Sequence, residues 1–233
     1  MKTYKIHLLR HGLTEANLSG LCAGTSDFPL LDEGKAELEA LRDSGCYPYA
    51  ERYFCSPLLR CRQSMAAMYP DAEPEIAGDL HEHDFGVFEG RPFAELADEP
   101  AFVSWLKNGG QGEIPGGESM EAMLRRVSAA FDRIVKDLMS HGQTSAVICT
   151  HGGVMMALLS AYGLPERPAA DYMVGNGRGF TLRITPSVWM RGGKFEIAAE
   201  IPEGDAFSVR GEQMRMIKEL AGIEDDSEPL QEV

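Results

Sequence analysis

Apolar positions along the chain follow two rhythms. Short runs rich in β-branched and aromatic residues, Lys5–Leu9, Arg52–Cys55 and Ser145–Thr150, predict strands, and each is followed by a helical pattern. The clearest helix is "ESMEAMLRRVSAAFDRIVKDLM", where Met120, Leu124, Val127, Phe131, Ile134 and Leu138 recur at spacings of three and four. Glu121, Arg125, Arg126, Asp132 and Lys136 fall away from that stripe, as expected for a helix packed on a sheet. After the second strand, Ser56 as N-cap and Pro57 at the first helical position predict a helix start. Gly179–Thr185 and Phe195–Ile201 read as late strands, with a turn at Arg191–Lys194. The alternation predicts an α/β fold: three layers, with a mainly parallel open sheet and helices on both faces.

No internal repeat or linker interrupts the pattern, so residues 1–233 are expected to form one domain. A chain this long buries a sizeable core without staples. The Pro- and Gly-rich piece "NGGQGEIPGGES" fits an excursion over the sheet, at about residues 80–118. The terminal "EDDSEPLQEV" is expected to fray, because it is acidic and nearly free of apolar residues.

Charge narrows the choice of partners. The net charge of −14 argues against nucleic acid and anionic membranes, which need a contiguous basic face. An anionic substrate then requires a local island of Arg and His. The five cysteines are scattered and never spaced CxxC, a pattern expected of reduced, buried thiols. No stretch resembles a signal peptide or reaches the roughly 20 apolar residues of a membrane span. The expected setting is the cytoplasm.

Chemistry gathers where the strands end, the usual ligand edge of an open α/β sheet. The first strand ends in Arg10-His11-Gly12. The second leads into "SPLLRCRQS", bringing Arg60 and, two residues on, Arg62. The third gives His151 and Gly152 at a helix start. Any one of these has an ordinary structural reading. Together they predict a phosphate pocket, lined by cations and by helix N–H groups.

A fourth element is "LHEHDFGVFEG", Leu80–Gly90. A carboxylic acid here, Glu82, suits general acid work, since a bound dianion opposes loss of its proton. His81, His83 and Asp84 offer a competing metal reading, with His81 and His83 on one strand face. Three residues so close in sequence rarely fill a coordination sphere, and no metal is assigned. His7 reads as structural. His141, before Gly142, reads as a partner of the last carbonyls of its helix.

These motifs, in order from residue 6 to about 160, resemble the histidine phosphatase superfamily, with its phosphoglycerate mutase-like fold. "RHG-x-T-x-x-N" is matched by Arg10, His11, Gly12, Thr14 and Asn17, and "G-x-x-D-x-P-L-x-x-x-G" by Gly24, Asp27, Pro29, Leu30 and Gly34. "SPL-x-R" is matched by Ser56, Pro57, Leu58 and Arg60. "L-x-E-x-x-F-G-x-x-E-G" is matched by Leu80, Glu82, Phe85, Gly86, Glu89 and Gly90, while "PGGES" and "HGG" stand at Pro115–Ser119 and His151–Gly153. The resemblance implies that His11 attacks the phosphorus of a small phosphomonoester and becomes a phosphohistidine. Arg10, Arg60 and His151 would hold the equatorial oxygens, with Asn17 and the Gly152 amide adding hydrogen bonds. Thr14, Gly24 and Thr25 would complete the substrate side. Glu82 would protonate the leaving oxygen and then activate water. No cofactor is implied, and a homo-oligomer stays open.

The departures bear on branch and substrate. Leu13, Thr25 and Phe88 replace residues common in the family (Glu or Gln, Trp, and Trp). Relatives of the glycolytic mutase carry "ERxYGxLxGL" in the acid segment, whereas here His83 follows Glu82 and Phe85 stands in place of the Tyr. That points to a metal-independent phosphatase rather than a mutase. "CAGTSDFPLLDEG" also resembles the branch acting on α-ribazole phosphate, through scaffold motifs that say little about substrate. A non-catalytic phospho-ligand binder would be expected to lose His11 or Glu82 first, and both are present.

Overall fold

The computed structural model describes residues 2–108, 110 and 112–206. The first apolar run forms β1 (Tyr4–Arg10), followed by a single helical turn, α1 (Glu15–Leu18), and by α2 (Asp32–Asp43). Next come β2 (Arg52–Cys55), α3 (Leu59–Met68) and β3 (Glu75–Ile76). The excursion carries α4 (Phe93–Leu96) and α5 (Pro100–Lys107) before the long α6 (Met120–His141). The chain returns through β4 (Ser145–Thr150), α7 (Gly152–Tyr162) and β5 (Gly163–Leu164). It then forms β6 (Gly179–Ile184), α8 (Pro186–Gly192) and β7 (Phe195–Ile201).

Among the described residues these strands make one mixed sheet in the order β3-β2-β4-β1-β6-β7-β5. The half that carries the motifs is parallel: β3, β2, β4 and β1 run together. β6 is antiparallel to both β1 and β7, and the short α8 connection returns the chain from β6 to β7 without a crossover. Alternation along the central strands separates two cores. Ile6, Leu8, Ala146 and Ile148 join Val127, Phe131, Val135 and Leu138 of α6 and Val154 and Leu158 of α7. Leu9, Val147 and Cys149 face the other way, toward Leu38 of α2 and Cys61, Met65 and Met68 of α3. A third apolar cluster, built from Cys22, Phe88, Leu96, Phe102 and Ile114, lies within and beside the excursion.

Three details differ from the expectation. The third helix starts at Leu59, not Pro57: the Ser56 hydroxyl is engaged by His151, and Asp27 Oδ1 accepts from the Leu59 N–H instead (2.7 Å). Arg126 does not face away with its helix's polar side but turns inward, its side chain 16% exposed. His81 and His83 lie on no strand, because the chain there forms a short 3₁₀ turn (Gly78–Leu80) and then irregular backbone. His141 does contact the Asp137 carbonyl, and Gly142 closes α6 in the left-handed region (φ 69°). His7 bonds Thr181 across to β6. The acidic terminal stretch lies outside the described residues. No helix among them is long and apolar enough to cross a membrane.

Candidate active site

Strand register builds the floor of the site. Arg10 pairs with Thr150 across the parallel β1–β4 ladder, so the next residues, His11 and His151, leave the sheet side by side. Their rings lie 5.3 Å apart. On the far side of β4, Cys55 pairs with Cys149, which sets Ser56 against His151. Three strand ends therefore converge because neighbouring parallel strands stop at the same level.

The hydrogen bonds assign each ring nitrogen. His11 Nδ1 lies 2.7 Å from the Gly12 carbonyl, which can only accept, so Nδ1 carries the hydrogen and Nε2 keeps a lone pair. Burial, followed by the charges of Arg60 and Arg10, holds His11 well below the ordinary histidine range, so the imidazole is neutral at neutral pH. His151 is held down in the same way, by burial first and then by Arg60. Its Nδ1 accepts from Arg60 Nε (3.2 Å) and its Nε2 donates to Ser56 Oγ (2.7 Å). Both of its nitrogens are thus engaged by protein groups, so the ring backs Arg60 and differs from the expectation that it holds an equatorial oxygen itself.

Arg60 is nearly fully buried, with Nη1 on the Ser26 carbonyl and Nη2 on the Gly24 carbonyl. One N–H on each terminal nitrogen is left over. Arg10 spends Nη1 on the Val174 carbonyl (2.7 Å), while its Nε is buried without a hydrogen-bond partner. A Cβ on Gly152, at the first position of α7, would sit 3.5 Å from that Nε. The orphaned donor therefore lies beside a helix N-terminus, an anion-binding environment. Arg62, by contrast, is exposed and takes no part.

Thr14 and Asn17 form a capping box on α1. Asn17 Oδ1 accepts from Thr14 N, Thr14 Oγ1 and Asn176 Nδ2, which fixes the amide and leaves Nδ2 as its remaining donor face. Asn176 also donates to the His11 and Gly12 carbonyls, and Arg178 bonds the Asn176 carbonyl while pairing with Glu37 and Asp205. Sequence reasoning passed over Asn176 and Arg178: they precede β6 in a segment without periodicity, and "NGRG" reads only as a turn.

The acid segment closes over this floor. Glu82 Oε1 accepts from the His83 N–H (2.8 Å) and Oε2 from the Gly153 N–H at the start of α7 (2.9 Å). A Cβ on Gly153 would come within 2.5 Å of Glu82 Oε1, so a side chain at the second glycine of "HGG" would displace the carboxylate from this position. Thr150 Oγ1 bonds the Leu80 carbonyl and ties the segment to β4. Glu89 gathers the N–H groups of Gly24, Thr25, Ser26 and Phe85 and the Ser26 hydroxyl. Burial opposes its ionisation, but the Ser26 hydroxyl and these amides outweigh it and keep Glu89 below the usual carboxylate range. Gly24 passes so close to the His83 carbonyl that a Cβ would sit 1.8 Å from it. Thr25 is exposed at the rim. His83 is committed to the protein, with Nε2 on the Glu118 carbonyl and its ring stacked on Trp105. Among the described residues no three His, Cys, Asp or Glu side chains form a group able to hold a metal ion.

Comparison with known proteins agrees with this architecture. The chain is 30% identical over 171 residues to an adenosylcobalamin/α-ribazole phosphatase of Salmonella typhimurium, covering 72% of this chain and 82% of the relative. It is also 30% identical to a 2,3-bisphosphoglycerate-dependent phosphoglycerate mutase of Gloeobacter violaceus, covering 65% and 72% respectively. The crystal structure of a phosphoglycerate mutase from Thermus thermophilus superposes with a TM-score of 0.61 at 31% identity, over 78% of this chain and 93% of that one. Residues 6–190 match the family model of the histidine phosphatase superfamily, branch 1, and the chain belongs to that family.

Proposed function

We propose that the protein is a metal-independent phosphomonoesterase acting on a small phosphorylated metabolite through a phosphohistidine. The observation that carries this reading is the buried, unpartnered Arg10 Nε, set beside the Gly152 helix start and a neutral His11 whose Nε2 is free. A phosphoryl group bound there would be met by donors from Arg10, Arg60, Asn17 and Gly152. Their charge and dipoles offset what builds up on the equatorial oxygens, the main task in phosphoryl transfer. In the first step His11 Nε2 bonds to phosphorus as the P–O bond to the leaving group breaks, and that oxygen takes its proton from Glu82. In the second, water attacks phosphorus, its proton passes to the Glu82 carboxylate, and the N–P electron pair returns to His11.

Support for hydrolysis over mutase chemistry comes from the basic residues of the acid segment and α6, which are already paired. A mutase must retain a product that carries further anionic groups. Here Arg91 pairs with Glu99, Arg126 pairs with Glu118, and the residue after Glu82 is a histidine stacked on Trp105. The test is phosphate release in EDTA from 3-phosphoglycerate, sugar phosphates, nucleoside monophosphates, α-ribazole phosphate and an aryl phosphate. Release by the wild type but not by His11→Ala is the expected result. Interconversion of phosphoglycerates without release would replace this reading with the mutase, and loss of activity in EDTA would overturn metal independence.

A further inference from the structure

Arg126 holds more of the acid segment than any other side chain, although its helical position predicts a solvated residue. A guanidinium has five N–H groups, and here all five are used. Nη1 donates to the carbonyls of Asp79 and His81 (both 2.8 Å). Nη2 donates to the carbonyl of Glu82 itself (2.9 Å) and to Glu118 Oε1, and Nε donates to Glu118 Oε2 (3.0 Å). Glu118 in turn fastens the next residues. Its Oε1 accepts from the Asp84 N–H, its carbonyl is bonded by His83, and its N–H donates to the Asp84 carbonyl. Every residue from His81 to Asp84 is thereby referenced to Arg126 or Glu118. Neither of these side chains donates to or accepts from His11, Arg10, Arg60 or His151.

The contrast with the phosphate floor is instructive. The floor is held by backbone ladders. The acid segment has only short 3₁₀ turns, so beside the Thr150 bond to Leu80 and the His83 and Gly153 N–H groups on the Glu82 carboxyl itself, its backbone is held by side-chain bonds to the second turn of α6, a helix anchored in the main core. We propose that Arg126 is a positioning residue of the hydrolytic reaction: through its bonds to the carbonyls of Asp79, His81 and Glu82 it sets the Glu82 carboxyl at the leaving-group oxygen. This rests on the phosphatase reading with Glu82 as proton donor.

A residue that acts only through proton donation leaves a chemical signature. An alkoxide leaving group needs the proton, whereas a nitrophenolate departs without one. The experiment compares kcat/KM, which reports the steps up to leaving-group departure, for an alkyl phosphate and for p-nitrophenyl phosphate. The proteins are the wild type, Arg126→Met, Arg126→Lys, Glu82→Gln and the Arg126→Met/Glu82→Gln pair. Arg126→Met is expected to lose about 10²-fold on the alkyl ester, the cost of a misplaced catalytic group, and less than about threefold on the aryl ester. In the Glu82→Gln background it is expected to lose nothing further. Arg126→Lys keeps the charge but cannot span the carbonyls, and should fall on the same side; it carries the comparison if the methionine variant does not fold. Equal losses on both esters, or a full further loss in the Glu82→Gln background, would overturn the proposal while leaving the phosphatase reading intact. No phosphate release from any ester by the wild type would instead remove the reading beneath it.

Discussion

The floor and the roof of the site are built by different physics. The floor, from Arg10-His11 to His151, is fixed by the β1–β4 register: Arg10 and Thr150 pair, and the two histidines follow at once. The roof, Gly78 to Ser119, has almost no backbone ladder. Beside its own small apolar cluster and single bonds from Thr150 and Gly153, it is held by two carboxylates, Glu89 and Glu118, and one arginine, each collecting several polar partners. A ladder distributes its bonds over many residues, so losing one costs little placement. A hub concentrates them, so one substitution releases a whole segment.

The comparison can be broken from either side. The largest effect is expected at the floor, where His11→Ala should reduce phosphate release on the order of 10⁴-fold or more, measured as single-turnover rates. At the roof, Glu82→Gln should slow alkyl ester hydrolysis by about 10² to 10³ with little change in KM. Where the two parts touch, Gly24→Ala should destabilise the protein by about 1–3 kcal/mol, because its Cβ meets the His83 backbone. Chemical denaturation midpoints will show whether this contact is as rigid as its spacing implies.

The smallest effect sharpens the floor's electrostatics. His7 is pushed down to about 4, by burial first and then by Lys5, and His11 and His151 are also held low. All three are neutral in the fold where the unfolded chain would already bind protons. The fold therefore takes up fewer protons than the unfolded state below pH 6.5. Stability should be complete above that value and fall as the pH drops toward 4. Urea midpoints at pH 7, 6 and 5 should show the decline, and His7→Gln should make it shallower by one of the three protons. A pH-independent midpoint would contradict the neutrality of these three histidines.

The same contrast explains what the sequence made legible. The floor could be read because short apolar, β-branched runs end in chemistry-bearing residues, and because parallel strands bring those ends together. α6 was legible from its apolar stripe, except at Arg126, where a polar residue beside the stripe turns inward to satisfy carbonyls that no periodicity announces. Ser56 misled for a related reason. Its type and its place before Pro57 suit an N-cap, but the His151 imidazole competes for the hydroxyl and Asp27 serves the helix instead. Asn176 and Arg178 left no signal, since they act from irregular chain on backbone atoms of the floor.

The Glu118–Arg126 fastening also bears on how the proposed phosphatase would diverge. The segment carrying the acid is held by Arg126, Glu118 and Glu89, with single bonds to β4 through Thr150 and to α7 through Gly153, so its bounds are set largely by a few polar contacts. It behaves as a cassette. A chimera that exchanges residues 79–118 but keeps Arg126, Gly24 and Gly153 would retain the phosphoryl chemistry below while adopting a new leaving-group preference above. On the proposed reading, substrate range would drift by replacing the roof, provided the incoming segment keeps the Glu89 carboxylate that holds the Gly24–Ser26 loop behind Arg60.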